Sequence, residues 1–283
     1  MSFLQAIFFP KQECIRFLNA VNNQNITELD YCIASGVNPN CVSAEDGNTA
    51  LHIAAENNNL RIAVKLLAIP NINIEIKNRF GYPPLHIALQ FNTYRMLKML
   101  LKNNANVNST DRCDNTALHV AARSHSIWLA QILMKHGADI NARNMMMHTP
   151  LHVAILEAPF LPMVKFLVGH GADINIQTRN TSLLLEAILY CHSNEEYQII
   201  LYLLQKGVDV NCVEKITKRN ALHYCAITDS NQLAVQLLKF GANVDQKDVI
   251  GKTPMDVARD RKNYELEFIF EHADKISALM NNI

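Results

Sequence analysis

The chain is poor in the features that mark special protein classes. Among 283 residues there are only nine glycines and nine prolines, too few for a collagen-like or linker-dominated protein. A hydrophobic share of 49% against 18% charged residues is that of a globular chain, not a disordered one. There is no excess of either charge, since 26 Lys and Arg residues are matched by 26 Asp and Glu. Nucleic-acid binders normally carry a basic surplus that displaces counterions from phosphates, so no direct contact with nucleic acid is expected. No apolar run reaches the ~18 residues that a membrane span requires. The nearest, residues 151–168, is broken by Glu157, Pro159, Pro162 and Lys165. The apolar start through Phe3, Leu4, Ile7, Phe8 and Phe9 lacks a basic flank and a small-residue cleavage site. The seven cysteines (Cys14, Cys32, Cys41, Cys113, Cys191, Cys212 and Cys225) are odd in number, scattered and never spaced C-x-x-C. That usage favours a reducing compartment over a disulfide framework. The expectation is a soluble protein of the cytoplasm, with the nucleus also open to it and no membrane partner.

What the sequence does have is internal repetition. Thr-Ala-Leu-His occurs at 49–52 and 116–119, Thr-Pro-Leu-His at 149–152, Pro-Pro-Leu-His at 83–86 and Asn-Ala-Leu-His at 220–223. Degenerate copies begin at Ser182 and Thr253. Successive copies start 34, 33, 33, 33, 38 and 33 residues apart. A second motif keeps step with the first, as in Gly137-Ala-Asp-Ile-Asn141 and Gly171-Ala-Asp-Ile-Asn175, with variants beginning at Gly36, Asn104, Gly207 and Gly241.

The linked motifs resemble those of the ankyrin-repeat family, in which T-P-L-H-x-A-A opens the first helix of each unit and G-A-D-(I/V)-N closes the second. The resemblance covers about residues 14–274. It implies an all-α solenoid of stacked helix-turn-helix units joined by β-hairpin loops. We read residues 1–283 as a single domain, with units near 15–48, 49–82, 83–115, 116–148, 149–181, 182–219, 220–252 and 253–275. Residues 1–14 are expected to cap the first unit, and 276–283 to form a tail. The first unit is placed by spacing: Phe17 lies as far before Gly36 as Leu118 lies before Gly137.

The residue types fit that unit physically. Thr or Ser caps free N–H groups at a helix start, and Pro at the first turn forfeits no hydrogen bond. Gly137, Gly171, Gly207 and Gly241 suit the position after a helix that needs positive φ. No unit can bury its apolar face alone, so units must stack on their neighbours. The histidines at 52, 86, 119, 152 and 223 are not spaced as metal ligands, because residues one repeat apart lie in successive layers. The resemblance implies that they bond backbone between units. No nucleotide-binding, metalloprotease or nucleophile-elbow motif is present. Cys191, His192 and Glu195 offer suitable residue types for catalysis, but nothing orients them. Neither an enzyme nor a cofactor nor a metal is expected.

Function is therefore sought where repeat chemistry is relaxed. By resemblance, hairpin tips and inner helices form a concave surface for a partner protein. Candidate partner-binding residues are Arg79, Phe80, Tyr82 and Phe91 in the third unit, then Arg112, Arg123, the tip Met145-Met146-Met147, Glu157, Phe160, Arg179 and Tyr190. Aromatics anchor interface centres, and methionines adapt to apolar partners. Two insertions add to this: an extra residue between Leu151 and Gly171, assigned to 158–162, and four between Leu184 and Gly207, assigned to 191–197. Phe160, Leu161 and Met163 suggest an apolar patch there. Arg259, Asp260, Arg261, Lys262 and Glu265 read as a polar face closing the last unit. The expected function is a non-catalytic scaffold or inhibitor, monomeric by itself, that binds another protein. A substrate-recognition adaptor of a ubiquitin ligase or other enzyme complex, or a regulator resembling the inhibitors of NF-κB, stands as the alternative.

Overall fold

The computed structural model describes residues 12–278. The cap expected on Phe3, Leu4, Ile7, Phe8 and Phe9, and the tail beyond residue 278, lie outside the described residues. The chain forms two compact bodies, one reaching Val120 and including Leu129–Asp139, the other built from Ala121–Trp128 and the chain from Ile140 onward. The first holds α1 (Gln12–Asn22), α2 (Ile26–Ala34), α3 (Ala50–Glu56), α4 (Leu60–Leu67), α5 (Pro84–Gln90) and α6 (Tyr94–Lys102). The helices α7 (Ala117–Arg123) and α8 (Ile127–Lys135) are divided between the bodies. The second holds α9 (Pro150–His152), which runs into a π-turn at Val153–Glu157, then α10 (Leu161–Gly169), α11 (Leu183–Leu189) and α12 (Asn194–Gln205). It continues with α13 (Ala221–Thr228), α14 (Asn231–Lys239), α15 (Pro254–Asp260), α16 (Tyr264–Glu271) and α17 (Ala273–Ala278).

Within each body, first helices pack on first helices and second helices on second helices. In one body α1 meets α3, α3 meets α5, and α4 meets α6; in the other α11 meets α13, α13 meets α15, and α12 lies between α10 and α14. The leucine of each tetrad is the anchor: Leu51, Leu85, Leu118, Leu151, Leu184 and Leu222 are buried, as is Phe17. Each such side chain contributes roughly 1.5–3 kcal/mol of transfer free energy. The alanine pairs Ala54-Ala55 and Ala121-Ala122 are buried too, and their small size lets neighbouring helices approach.

Polar atoms then set the period. The backbone N–H of Thr49 donates to Nδ1 of His52 (3.1 Å), and Thr116, Thr149 and Asn220 treat His119, His152 and His223 alike. With Nδ1 accepting, the proton sits on Nε2, which donates to a carbonyl one unit on. His52 reaches the Tyr82 carbonyl (2.8 Å), His86 that of Asn115 (3.0 Å), and His223 that of Lys252 (3.0 Å). Pro83 has neither N–H nor hydroxyl, and Nδ1 of His86 is left without a hydrogen-bond partner. Burial holds His52, His86 and His223 below the ordinary histidine pKa, despite the carbonyl each one serves. In the last pair Asp256 takes over the cap, accepting from Thr253 N–H (2.9 Å) and hydroxyl (2.8 Å).

Hairpin asparagines form a second ladder. Asn108 accepts from the Asp139 N–H (2.8 Å) and donates to the Gly137 carbonyl (3.2 Å); Asn40 and Asn211 repeat the pattern. Glu75 stands in for the asparagine of its unit, accepting from Asn106 N–H (2.7 Å). At the tips, Gly81 adopts φ +78°, and a Cβ there would sit 2.2 Å from Cγ of Arg112, so this tip is glycine both for its conformation and for that close approach.

Five features differ from the sequence reading. The β-hairpins shrink to single antiparallel bridges, such as Val42 with Thr49 and Gln177 with Ser182, with no strand among the described residues. Cys14 and Cys41 are joined as a disulfide, their Cα atoms 6.0 Å apart; 27 residues of sequence hid a pairing that helix and hairpin bring together. The first insertion lies in the π-turn and not at 158–162: Ala158 N–H reaches back five residues to the Val153 carbonyl (3.0 Å), so one extra residue is absorbed inside the helix. The second insertion chiefly lengthens α12 to 12 residues, against nine in α10 and α14, with Ser193 and Glu196 forming its capping box. Finally, the last pair is followed by α17, which packs on α14 and donates from the Ser277 hydroxyl to the Leu238 carbonyl (3.1 Å).

Candidate functional site

In the first body the expected residues separate by role. Arg79 lies over Gly47, its backbone N–H donating to the Asp46 carbonyl (2.8 Å) and its guanidinium to the Glu45 carbonyl (3.0 Å). Arg112 lies over Gly81. Both arginines thus join one tip to the next. Tyr82 is half-buried, stacked against His86 with ring centroids 6.5 Å apart. Phe80 and Phe91 are exposed.

In the second body three of the expected residues meet. Met146, 63% exposed, Tyr190, 55% exposed, and Glu157 line one groove of about 420 Å3. Its remaining walls come from inner helices and the hairpins before them: His148, Leu156, Glu186, Glu214 and Tyr224 among others. Met145 is exposed beside the groove, and Met147 turns the tip with φ +65°. Arg179 is exposed, its carbonyl accepting from Lys215 Nζ (3.2 Å). Phe160 is half-buried instead of exposed, stacked on His125 at 4.6 Å, and Met163 is fully buried, so the apolar patch expected at 160–163 is largely consumed by packing.

The groove carries three carboxylates, each in a different setting. Glu157 accepts from Arg123 at 2.6 and 3.1 Å and lies 3.4 Å from Nδ1 of His148. Burial pushes its carboxyl up, but Arg123 and His148 outweigh that and hold it below the usual value. Glu186 accepts from the Thr178 hydroxyl (2.8 Å), with Nε2 of His148 3.9 Å away. Glu214 accepts from the hydroxyls of Thr217 and Tyr224, the latter at 2.9 Å. Burial, and then the bond to Glu214, push the Tyr224 phenol up to about 12, which keeps it protonated and donating. Glu186, Glu214 and Tyr224 are absent from the sequence-based set. The signal was there: the residue after the tetrad is Ile53, Ile87, Val120, Val153 or Val257 in other units, but Glu186 and Tyr224 in these two.

Of the residues weighed as a catalytic cluster, His192 gives its backbone N–H to the neighbouring cap residue Glu196, as does Ser193 (2.7 Å each), and Glu195 holds the start of α10, accepting from Leu161 N–H (2.8 Å). Burial, aided by Glu196, pushes the Cys191 thiol up, the wrong direction for a nucleophile. Among the described residues no three His, Cys, Asp or Glu side chains are grouped to hold a metal ion, and no helix is long and apolar enough to cross a membrane.

The family description "Ankyrin repeats (3 copies)" matches residues 17–111, 103–178 and 184–277. The chain belongs to the ankyrin-repeat family. As an ankyrin-repeat protein it carries a fold that serves protein–protein interaction. It is similar to the ankyrin domain of Bcl-3, described as a unique member of the IkappaB protein family, with 28% identity and a TM-score of 0.66, covering 78% of this chain and 99% of that one. Among curated proteins, a 64-residue stretch is 45% identical to the E3 ubiquitin-protein ligase Ufd4 of Drosophila melanogaster, covering 23% of this chain and 2% of the ligase. A 61-residue stretch is 39% identical to palmitoyltransferase ZDHHC17 of Danio rerio, covering 22% and 10% respectively. An 82-residue stretch is 38% identical to the putative ankyrin repeat protein FPV031 of Fowlpox virus, covering 29% and 23%. The chain spans only a small part of the length of these curated relatives.

Proposed function

We propose that this ankyrin-repeat chain is a non-catalytic binding module that holds or occludes a partner protein along the inner helices and hairpin loops of its second body. The observation that carries the reading is the groove in which exposed Met146 and Tyr190 flank the carboxylates of Glu157, Glu186 and Glu214. Other large apolar side chains are exposed elsewhere, Phe80 and Phe268 among them, but Met146 and Tyr190 meet in one recess beside carboxylates, and clustered exposed side chains of this kind are the material of interface anchors. The balanced net charge favours a protein over a nucleic acid as partner. A cytoplasmic or nuclear monomer is the setting that fits this role.

The likeness to the Bcl-3 domain, across 78% of the chain, favours a second and narrower reading as a regulator of the IkappaB kind. The short stretch shared with Ufd4 supports an adaptor of a ubiquitin ligase more weakly. Affinity capture from lysate followed by mass spectrometry tests the main reading. The wild-type chain is compared with Met146→Ser/Tyr190→Ala and with Phe80→Ala/Phe91→Ala as a surface control. Loss of captured proteins in the first variant alone is the expected result. An identical captured set from all three proteins overturns the assignment of this surface. Recovery of ligase subunits turns the choice toward the adaptor.

A further inference from the structure

We propose that the groove of the second body receives an arginine side chain from an extended segment of the partner protein. The inference rests on the reading that this surface binds protein, and it names the chemistry that is bound. Glu186 and Glu214 face one recess and accept from the hydroxyls of Thr178, Thr217 and Tyr224, with Nε2 of His148 3.9 Å from Glu186. A carboxylate offers about four acceptor sites, so both retain lone pairs for a cation. Arg123 is committed to Glu157. The recess is therefore locally acidic in a chain whose total charge is zero.

The walls narrow the choice of cation. Met146, Leu156, Leu189, Tyr190 and Tyr224 surround the carboxylates. Tyrosine faces attract a cation, and apolar side chains pack against the methylene stem that carries it. A guanidinium is planar and presents donors in a fork, so it can bond two carboxylates while stacking on a ring; a lysine ammonium is a compact, strongly hydrated point charge that does neither as well. A purely apolar segment would strip water from Glu186 and Glu214 without pairing them. A phosphate or acidic peptide would meet like charge. A volume of about 420 Å3 suits one long side chain and its flanking backbone.

Titration of the isotopically labelled full chain, followed by amide and methyl NMR, tests the proposal with acetylated Gly-Gly-Arg-Gly-Gly and with its neutral citrulline counterpart as probes. The arginine peptide is expected to shift resonances of Glu186, Tyr190, Glu214 and Tyr224, with citrulline binding about tenfold more weakly. Glu186→Gln/Glu214→Gln is expected to abolish the difference between the two peptides. Tyr190→Ala, an exposed position with no part in the core, is expected to weaken arginine binding and serves if the double variant fails to fold. Equal binding of the two peptides, or arginine binding unchanged in both variants, overturns the proposal. Proteins captured through Met146 and Tyr190 without any preference for arginine refute this inference and leave the proposed function standing. Arginine binding with no protein captured does the reverse.

Discussion

The two bodies each carry a recess of nearly the same size, about 440 Å3 in the first and about 420 Å3 in the second, and both include carboxylates. Their chemistry differs. In the first, Asp46 is turned back into its own loop, accepting from Asn48 backbone N–H (2.9 Å) and amide (2.7 Å), and Asn48 in turn accepts from Asn78 (2.9 Å). Glu45 and Glu56 also line it, with Ile15, Ile53, Asn57 and others, and no aromatic ring is among the lining residues. In the second, carboxylates sit among Tyr190, Tyr224 and Met146. Stacking of ankyrin units supplies the recess in both cases. What makes one of them a site for a cation is the side chain placed after the tetrad, Ile53 in one and Glu186 or Tyr224 in the other. Acidity alone does not distinguish them.

The largest effects probe whether the two bodies have equivalent cores. Leu118→Ala in the first and Leu222→Ala in the second each remove a fully buried side chain and are expected to cost about 2–5 kcal/mol by urea unfolding. A loss under about 1 kcal/mol at either site breaks the equivalence. Acid comes next. Burial holds His52 and His86 in the first body, and His223 in the second, below their unfolded pKa. The unfolded chain therefore binds more protons once the pH drops below about 6.5, the ordinary histidine value. Stability is complete above that pH and falls as the pH descends toward the folded values. Denaturant midpoints at pH 7.5 and 5.5 report this, and a higher midpoint at the acid pH contradicts it.

Exchanging the residues after the tetrad sharpens the contrast between recesses. Glu186→Ile is expected to weaken the arginine peptide about tenfold, whereas Ile53→Glu confers no binding on the first recess, which has no ring to stack on. NMR titration reads both, and gain of binding in the Ile53 variant would make charge sufficient after all. The smallest effect concerns the one tetrad that starts with proline. Pro83→Thr restores an N–H and a hydroxyl to Nδ1 of His86. It is expected to stabilise by about 1 kcal/mol, partly offset by the freer unfolded chain. A lower melting temperature would show that the orphaned nitrogen is harmless.

The helix pairs were legible because their anchors recur locally: Leu118 two residues after Thr116, Gly137 at φ +83°, the capping Thr149 three before His152. The histidine bonds to the next unit were expected from resemblance and occur at His52, His86 and His223. Hidden were features that depend on distance in space. Cys14 and Cys41 meet only once α1 and the first hairpin are folded. The groove draws on three hairpins and three inner helical segments, so Glu157, Glu186 and Glu214 look unrelated along the chain. Met146 and Tyr190 stand out along the chain as departures from repeat chemistry, whereas Glu186 follows a degenerate tetrad with Leu185 in the histidine position and so has no intact motif beside it to mark it.

The π-turn at Val153–Glu157 has a bearing on how such a protein can change over generations. A lone codon gained within a helix usually rotates everything downstream and ruins the fit against adjoining layers. Here the wider turn swallows the surplus within five residues, after which α10 resumes its place with Met163 and Leu167 seated in the interior. Binding chemistry at Glu157 can therefore be revised by insertion or deletion as well as by substitution, which gives a periodic architecture a route to new specificities that leaves its beat intact.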